Sequence, residues 1–489
     1  MLQSPLVIAD LKPLGGGLQQ RDGIESRHGL SSPKLGGVYH PGVPAAGSIQ
    51  YNRASRGAGL RAGLRRCDTV HVRRTIPAAV WAALIAGVLA TGCSGSGDAQ
   101  KQEQPSGGEA PKTSANVRPQ PTAEGNKAEG DTLKIGIVVP INGDQKPWGD
   151  DALNGAQIAL EDFNKQGGIP GKKVELVIGD SGSNTEQAKS AAEKLISDGV
   201  LGIIGDVTSS NTIQIAKSAF EKGVPVVSIG ATNDDVTKQG ANVFRVCYVD
   251  SFQGEVMAEF AYKDLGLRNV ALLTDRKQAY SVGLSNNFRK HFEQLGGKIV
   301  GEEFYETKQT TFTGQLTNLK AKNPDGLFLS GYFPEVGPIV KSAKAAGLNV
   351  KFLGGDGWDS KEILNSGGEA IVGGFFCNHY NNKDTRPQVQ HFLKRWKEKV
   401  GGEPGTTMAA LGYDAMAVIL DALKRCKSYD SKSLTAAIEE TENFPGVTGD
   451  LTLKGQNGNP RKRALVVEVR PLPEGFVMRK AIEPKDLGQ

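Results

Sequence analysis

From residue 133 onward the sequence alternates between short apolar runs and amphipathic stretches, and this alternation restricts the fold more than any other feature. The first apolar run, residues 133–139, is nearly continuous, as is typical of a strand covered by helices on both faces. Strands are predicted in two successive series: 133–139, 174–178, 200–204, 225–229 and 243–247, then 270–274, 298–304, 326–330 and 350–353. This repetition predicts an α/β protein with two lobes, each a parallel sheet between layers of helices.

The alternation ends near residue 386. Between residues 386 and 442 the pattern predicts only helices, and strands return at 449–453 and 464–469. The helices without strands indicate that the chain returns to pack on the first lobe. The late strands indicate that it then crosses a last time to the second lobe. We therefore expect lobe 1 to comprise residues 132–248 and 378–448, and lobe 2 to comprise residues 249–377 and 449–489.

The distribution of charge argues against a nucleic-acid-binding protein. Residues 1–92 carry 11 Lys and Arg against 4 Asp and Glu, whereas the whole chain has a formal net charge of only +5, so the remainder is slightly acidic. A nucleic-acid binder is expected to keep a positive patch in its folded part. The five cysteines include no Cys-x-x-Cys pair and no histidine at metal-ligand spacing, so we expect no metal site.

A secretory signal is predicted well inside the chain. Arg73 and Arg74 precede an apolar run at residues 76–90 that is too short to span a bilayer comfortably, and small residues then lead to Cys93. This junction resembles the lipobox of bacterial lipoproteins, with Ala90 where leucine is usual. We therefore expect residues 70–92 to be a signal peptide and Cys93 to carry the lipid that anchors the protein to a membrane.

The segments on either side of this signal are expected to lie outside the folded part. Residues 1–69 show no sustained apolar periodicity and are interpreted as a non-native or disordered extension. Residues 93–131 are rich in Gly, Pro and polar residues and contain no aromatic residue, as is typical of a flexible tether.

Enzyme motifs fail when their residues are compared one by one. The Gly-rich segment 167–173 superficially resembles a phosphate loop, but its glycine spacing is wrong, Lys173 replaces the Ser or Thr, and a strand follows instead of a helix. No G-x-G-x-x-G motif follows the first strand, and no G-x-S-x-G motif occurs. We therefore expect a protein that is not an enzyme and that needs no cofactor.

Hydroxyl side chains follow two neighbouring predicted strands. Residues 205–212 place Thr208 and Ser209 at a helix N-terminus, where free backbone N–H groups suit an anion such as a carboxylate. Residues 228–233, which include Thr232, form a second corner after the next strand. Open α/β sheets bind ligands where adjacent strands end in this way. The alternative is that these Ser and Thr residues serve only as helix N-caps.

At this point a family resemblance is evident. Residues 133–469 resemble the branched-chain amino-acid-binding (Leu/Ile/Val-binding) family, which are type I periplasmic solute-binding proteins of ABC transporters. The matching segments are Trp148-Gly149 with Asn154-Gly155-Ala156, Gly167-Gly168-Ile-Pro-Gly171, Ser228-Ile-Gly-Ala-Thr-Asn233, Gly331-Tyr332-Phe-Pro-Glu335, Leu353-Gly-Gly-Asp-Gly-Trp-Asp359 and Phe444-Pro-Gly-Val-Thr-Gly449. The resemblance implies two Rossmann-like lobes with parallel sheets, joined by a three-stranded hinge.

The resemblance also implies a ligand-binding set. Its members are Trp148, Thr208, Ser209, Gly230, Ala231, Thr232, Tyr280, Tyr332 and Asp356. Ser209 and Thr232 would hold an α-carboxylate. The carbonyl of Gly230, Thr232 and Asp356 would hold the ammonium group, and the three aromatic residues would enclose the ligand side chain. Ile229, where family members often have Pro, leaves the identity of the amino acid open.

The function implied is capture of an amino acid and its delivery to an ABC permease with its ATPase subunits. Such a protein would be a monomer in the periplasm or at the cell surface, anchored through Cys93. The alternative is a sensory protein of the same fold that signals to a membrane receptor. Neighbouring genes for a permease and ATPases would favour import, whereas a neighbouring sensor-kinase gene would favour the alternative.

The resemblance raises a question about two cysteines. Cys247 and Cys377 each end a strand that would cross between the lobes, and such hinge strands run side by side. A disulfide bond and two free buried thiols are both open at this point.

Because a secretory signal is expected at the start of a translated chain, we predict that translation begins at a non-AUG codon near Val70 or Val72. Ribosome profiling of initiation sites is expected to place the start there. Initiation at Met1 would contradict this prediction.

Overall fold

Five parallel strands form the sheet of lobe 1, in the order β2-β1-β3-β4-β5. The structure, a computed structural model, describes residues 117–484, so the predicted extension, signal peptide and lipid-bearing Cys93 lie outside the described residues. The strands are β1 (Thr132–Val139), β2 (Lys173–Asp180), β3 (Gly202–Gly205), β4 (Val226–Ser228) and β5 (Val243–Arg245). The helices between them are α1 (Lys146–Lys165), α2 (Thr185–Ser197) and α3 (Ser209–Lys222). The last five residues of β1 are all buried, as expected for a strand covered on both faces.

Lobe 2 contains a seven-stranded mixed sheet, in the order β14-β13-β10-β9-β8-β6-β7. Its strands are β6 (Asn269–Asp275), β7 (Lys298–Tyr305), β8 (Gly326–Leu329), β9 (Lys351–Gly354), β10 (Phe375–Asn378), β13 (Ala464–Val469) and β14 (Phe476–Ile482). Its helices are α4 (Asp250–Glu259), α5 (Ala279–Gln294), α6 (Thr313–Lys320), α7 (Phe333–Ala345) and α8 (Glu362–Gly367). The first five strands are parallel, but β13 and β14 are antiparallel to their neighbours. The alternating part of lobe 2 thus forms a parallel sheet, as predicted, and the two late strands, joined by a short turn, add an antiparallel edge to it.

The helical segment after β10 returns to lobe 1, as its lack of strands predicted. It contains α9 (Pro387–Lys399), α10 (Met408–Arg425) and α11 (Ser431–Glu439), and α10 packs along α1. The backbones of the two helices lie very close to each other. A Cβ added to Gly155 would lie 1.9 Å from the carbonyl oxygen of Ala409, and a Cβ added to Gly412 would lie 2.2 Å from the carbonyl oxygen of Ala152. Glycine at both positions therefore permits this backbone contact.

The last passage to lobe 2 occurs later than the expected boundary at residue 449. Strands β11 (Phe444–Gly446) and β12 (Gly449–Leu451) pair as an antiparallel hairpin, and β11 contacts α10. The strand predicted near residue 449 therefore closes a hairpin beside lobe 1, and the chain crosses between β12 and β13.

Three chain segments connect the lobes, and three side chains tie these segments together. The first segment lies between β5 and α4, the second between β10 and α9, and the third between β12 and β13. The rings of Tyr248 and His379 stack with centroids 4.0 Å apart, which joins the first segment to the second. The Nζ of Lys462 donates to the carbonyl oxygen of Val246 at 2.7 Å and also to the hydroxyl of Thr448, which joins the third segment to the first.

Residues 117–131 lie against lobe 1, which differs from the flexible tether expected for this part of the chain. Arg118 Nη1 donates to the carbonyl oxygens of Gly240 at 3.1 Å and Val243 at 2.6 Å. Asn126 Nδ2 donates to Ile196 and Val200 at 2.8 and 2.9 Å. Composition predicted no fold for this segment because it has little apolar surface, but hydrogen bonds to backbone carbonyl groups of lobe 1 hold it in place.

Among the described residues, Cys247, Cys377 and Cys426 are free, which decides the question of the disulfide. Cys247 and Cys377 are both buried, and the Sγ of Cys247 donates to the carbonyl oxygen of Ala231 at 3.4 Å. Burial raises the pKa of Cys247 to about 12 and that of Cys377 well above its usual value, so both remain thiols.

The buried ammonium group of Lys462 predicts a pH-dependent stability. Burial lowers its pKa from 10.5 to about 8 despite the opposing attraction of Asp414. Between about pH 8 and 10.5 the unfolded chain therefore binds more protons at this group than the folded protein does. The free energy of unfolding is expected to rise with pH across this window, by about 1 kcal/mol per pH unit relative to Lys462→Met. Urea unfolding of both proteins at intervals through the window measures this difference, and a difference that stays constant would contradict the lowered pKa.

Candidate functional site between the lobes

The first corner of the site connects β3 to the N-terminus of α3. Thr208 and Ser209 are both buried, and α3 begins at Ser209. The backbone N–H of Thr208 donates to the carboxyl group of Asp206 at 3.0 Å, which fixes the turn. Helix geometry leaves the first N–H groups of α3 without intrahelical partners and gives this end a partial positive charge. The corner is therefore suited to a carboxylate.

The second corner follows β4 and contacts the first. The hydroxyl of Ser209 accepts a hydrogen bond from the backbone N–H of Asn233 at 3.2 Å. Arg245 Nη1, from β5, donates a hydrogen bond to the carbonyl oxygen of Ala231 at 2.8 Å and so fixes the loop that follows β4. Thr232 is fully buried, yet its hydroxyl has no hydrogen-bond partner. A buried and unpaired hydroxyl is unfavourable unless a ligand pairs with it.

Gly230 occupies a confined position in this second corner. A Cβ at residue 230 would lie 2.6 Å from the Sδ of Met408 and 3.1 Å from the carbonyl oxygen of Val207. The absence of a side chain there lets the loop run close to the first corner.

The three predicted aromatic residues come together from both lobes. Trp148 lies in the first turn of α1 in lobe 1, whereas Tyr280 begins α5 and Tyr332 precedes α7 in lobe 2. The rings of Trp148 and Tyr332 meet edge to face at 5.6 Å, and those of Tyr280 and Tyr332 stack at 4.9 Å. The hydroxyl of Tyr280 accepts the backbone N–H of Gly357 at 2.9 Å, whereas that of Tyr332 is buried without a partner. These rings form an apolar wall beside the two corners.

Asp356 follows β9 and is only 3% exposed. Its Oδ1 accepts a hydrogen bond from Gln253 Nε2 at 3.1 Å, and its backbone N–H donates a hydrogen bond to Gln253 Oε1 at 2.7 Å. Its Oδ2 lies 2.9 Å from His379 Nε2. Hydrogen bonds within the protein therefore hold the carboxyl group of Asp356 in place, and each of its oxygens keeps a lone pair for a further donor.

Analysis of the sequence missed several polar groups around Asp356. Asp250, Gln253, Tyr248 and His379 are all buried in this region, and the backbone N–H of Asp250 donates to the carbonyl oxygen of Thr232 at 2.8 Å. In the sequence, these residues are marked only by their position, at 248–253 and 379, beside the predicted crossings of the chain between the lobes. That position does not reveal burial, which depends on the packing of three separate chain segments.

Burial determines the ionisation of these groups. The pKa of Asp250 is raised well above its usual value by burial, by the charge of Asp356 and by Asp234. Burial and the charge of Asp356 also raise the pKa of Tyr248, Tyr280 and Tyr332, so the three phenols stay neutral. The site thus combines an anion-binding helix end in lobe 1 with a carboxylate in lobe 2, separated by neutral polar groups.

Direct hydrogen bonds fasten the lobes around this site. Trp148 Nε1 donates to the carbonyl oxygen of Asp359 at 2.7 Å, and Thr407 Oγ1 donates to the carboxyl group of the same residue at 2.7 Å. On the other side, the backbone N–H of Ala279 donates to Ser210 Oγ at 3.0 Å, and Asn233 Nδ2 donates to the carbonyl oxygen of Ala279 at 2.8 Å. These hydrogen bonds therefore hold the two lobes closed against each other beside the two corners and the aromatic rings.

The chain is similar to known proteins over most of its described length. The model of the periplasmic binding protein family matches residues 132–475. Leu/Ile/Val-binding protein homolog 1 of Brucella abortus is 30% identical over 340 residues, which span 69% of this chain and 90% of that protein. A leucine-binding protein of Thermotoga maritima matches with a TM-score of 0.69 and 38% identity, over 73% of this chain and 100% of that one. A branched-chain amino-acid transporter binding protein from Streptococcus pneumoniae, solved with isoleucine, matches with a TM-score of 0.66 and 30% identity, over 72% of this chain and 100% of that one.

Within residues 117–484, no helix is both long and apolar enough to cross a membrane. Over the same residues, no cluster of three or more His, Cys, Asp and Glu side chains is arranged to hold a metal ion.

The hydroxyl of Tyr280 provides a test of the wall beside Asp356. Tyr280→Phe leaves the buried N–H of Gly357 without its partner, which is expected to lower the free energy of unfolding by about 1 to 3 kcal/mol. Tyr305→Phe is the matched control, because the Tyr305 hydroxyl is buried and has no partner. Urea denaturation of the two variants makes the comparison, and equal losses of stability would contradict the assigned hydrogen bond.

Proposed function

Because this chain belongs to the periplasmic binding protein family, among its branched-chain amino-acid-binding members, we propose that it captures an amino acid outside the cytoplasm and delivers it to an ABC importer. The observation that carries this proposal is the pairing of opposite chemistry across the interface between the lobes. The N-terminus of α3 in lobe 1 suits a carboxylate, and the carboxyl group of Asp356 in lobe 2 suits an ammonium group. An amino-acid zwitterion carries both groups.

The proposed orientation follows from this pairing. The ligand carboxylate lies at the first turn of α3, where it meets Ser209 and the adjacent N–H groups. The ammonium group of the ligand lies between the carbonyl oxygen of Gly230, the hydroxyl of Thr232 and the carboxyl group of Asp356 in lobe 2. The partnerless hydroxyl of Thr232 supports this orientation, because the ligand would supply its missing hydrogen bond.

An apolar ligand side chain fits the aromatic wall best. Trp148, Tyr280 and Tyr332 present ring faces and edges with little free polarity, and such surfaces favour aliphatic groups. The named ligands of the relatives, leucine, isoleucine and valine, agree with this chemistry. We therefore assign the ligand to the aliphatic amino acids.

The proposed mechanism requires closure of the two lobes and no chemical reaction. The ligand binds to the corners of lobe 1 and lobe 2 then closes over it, as the three connecting segments bend. The closed monomer docks on the permease, whose ATPase subunits drive transport. A lipid on Cys93 keeps the protein at the membrane surface, and no cofactor takes part.

Equilibrium dialysis of the purified protein against a mixture of amino acids, amides and small carboxylates identifies the ligand directly. Retention of leucine, isoleucine or valine is the expected result. Retention of a carboxylate that lacks an amino group would contradict the proposed recognition of a zwitterion.

Asp356 is expected to contribute more to affinity than Ser209. Asp356→Ala removes an acidic partner of a buried ammonium group, a loss that typically costs about 2 to 5 kcal/mol, or roughly 30-fold to several thousand-fold in affinity. Ser209→Ala is expected to cost about 1 to 3 kcal/mol, because backbone N–H groups still hold the carboxylate. Isothermal titration with the identified amino acid measures both losses.

The control for this comparison is Asp275→Asn. Asp275 is also a buried aspartate at a strand end of lobe 2, but its carboxyl group accepts hydrogen bonds only from its own turn and from Thr307. Its variant is expected to bind the ligand normally. If Asp356→Ala binds within about threefold of wild type, Asp356 is structural and the proposed role of this residue is wrong.

A further inference from the structure

Asp250 is the buried acidic residue whose position the proposed function does not explain. It begins α4 directly after the first connecting segment and is completely buried. Its backbone N–H donates to the carbonyl oxygen of Thr232, so it lies against the second corner of the site. Its Oδ1 accepts Gln253 Nε2 at 3.1 Å, whereas its Oδ2 has no hydrogen-bond partner.

Gln253 holds the carboxyl groups of Asp250 and Asp356 near each other. Its Nε2 donates to one oxygen of each residue, and both hydrogen bonds are 3.1 Å long. The two oxygens that share this nitrogen therefore lie no more than about 6 Å apart. Both carboxyl groups thus face the same region between Thr232 and the turn after β9.

The two carboxyl groups have different partners. Both oxygens of Asp356 are occupied, one by Gln253 and one by His379, which is also completely buried. One oxygen of Asp250 is unoccupied. A buried polar atom of this kind needs a donor, and an ammonium group has three.

Two groups beside Asp250 favour its charged form, the hydroxyl of Thr232 and the guanidinium group of Arg245, but burial and the neighbouring acids outweigh them, so the pKa of Asp250 is raised. Arg245 from β5 directs its guanidinium group to the backbone oxygens of Ala231 and Asn233, at 2.8 and 2.9 Å. Asp234, from the loop after β4, adds a second negative charge and is itself bound by Ser251. The phenols of Tyr248, Tyr280 and Tyr332 are neutral. Without a bound cation, two buried carboxyl groups this near each other favour a proton on one of them, and the raised pKa of Asp250 agrees with a proton on this residue.

We propose that Asp250 is a second acidic residue for the amino group of the ligand, and that capture of the ligand releases a proton from it. This inference rests on the proposed function, because it requires a ligand with an ammonium group. When the ammonium group enters, the O–H bond of the Asp250 carboxyl group breaks and the proton passes to solvent. A hydrogen bond from the ligand nitrogen to Oδ2 then takes its place. The site thereby selects a primary amine that carries a full positive charge.

Isothermal titration in two buffers of different ionisation enthalpy, phosphate and Tris, measures the protons released on binding. The probe is leucine, isoleucine or valine, whichever dialysis retains. Wild type is expected to release close to one proton per ligand at pH 7. Asp250→Asn keeps the shape and the contact with Gln253, and it is expected to bind about 10-fold to 100-fold more weakly with little or no proton release.

Two controls separate the possible causes. Asp234→Asn removes the neighbouring acid and is expected to keep the release of a proton, because Asp234 lacks an unoccupied buried oxygen. Circular dichroism of each variant establishes that it is folded.

The outcomes distinguish this inference from the function on which it rests. Tight binding by wild type with heats that do not depend on the buffer would overturn the inference and leave the proposed function intact. Equal proton release by wild type and Asp250→Asn would do the same. If wild type binds none of the three amino acids, the proposed function fails and the inference fails with it.

Discussion

The buried carboxylate of Asp356 is the interaction on which both the site and the connection between the lobes depend. A carboxylate that is 3% exposed is tolerated only when hydrogen bonds or opposite charge compensate its lost hydration. Gln253 of α4 and His379 of the second connecting segment provide this compensation, and His379 stacks on Tyr248 of the first segment. The same group that faces the ligand site therefore organises the chain segments about which the lobes move.

The contacts between the lobes suggest how ligand binding and closure are coupled. Asp359 accepts hydrogen bonds from Trp148 and Thr407 of lobe 1, and Ala279 exchanges hydrogen bonds with Ser210 and Asn233. These bonds form only when the lobes are together, so they favour the closed form even before a ligand contributes. A ligand shifts the equilibrium only by its difference in affinity for the two forms. Under the proposed function a zwitterion would supply this difference, because its two charged groups would contact opposite lobes.

The sequence predicted the layers of the fold and led to the proposed position of the site, but it did not reveal the environment of the charges there. The strand and helix periods at residues 133–353 predicted the parallel sheets, since each run matches one strand. Ser209 and Thr232 were found because strand ends that lead into helices follow a general rule. In contrast, the segment 117–131 folds through hydrogen bonds to distant carbonyl groups, which composition does not reveal. Asp250 and His379 meet Asp356 only through long-range packing, so no local pattern could identify them.

The most direct measurement of the central claim is a crystal structure of the protein with its amino acid bound. The account predicts the ligand carboxylate at the first turn of α3, within hydrogen-bond distance of Ser209. It also predicts the amino group between Thr232 and the carboxyl groups of lobe 2, with the ligand side chain against Trp148, Tyr280 and Tyr332. A ligand bound outside the interface between the lobes, or with its carboxylate turned toward Asp356, would contradict the account.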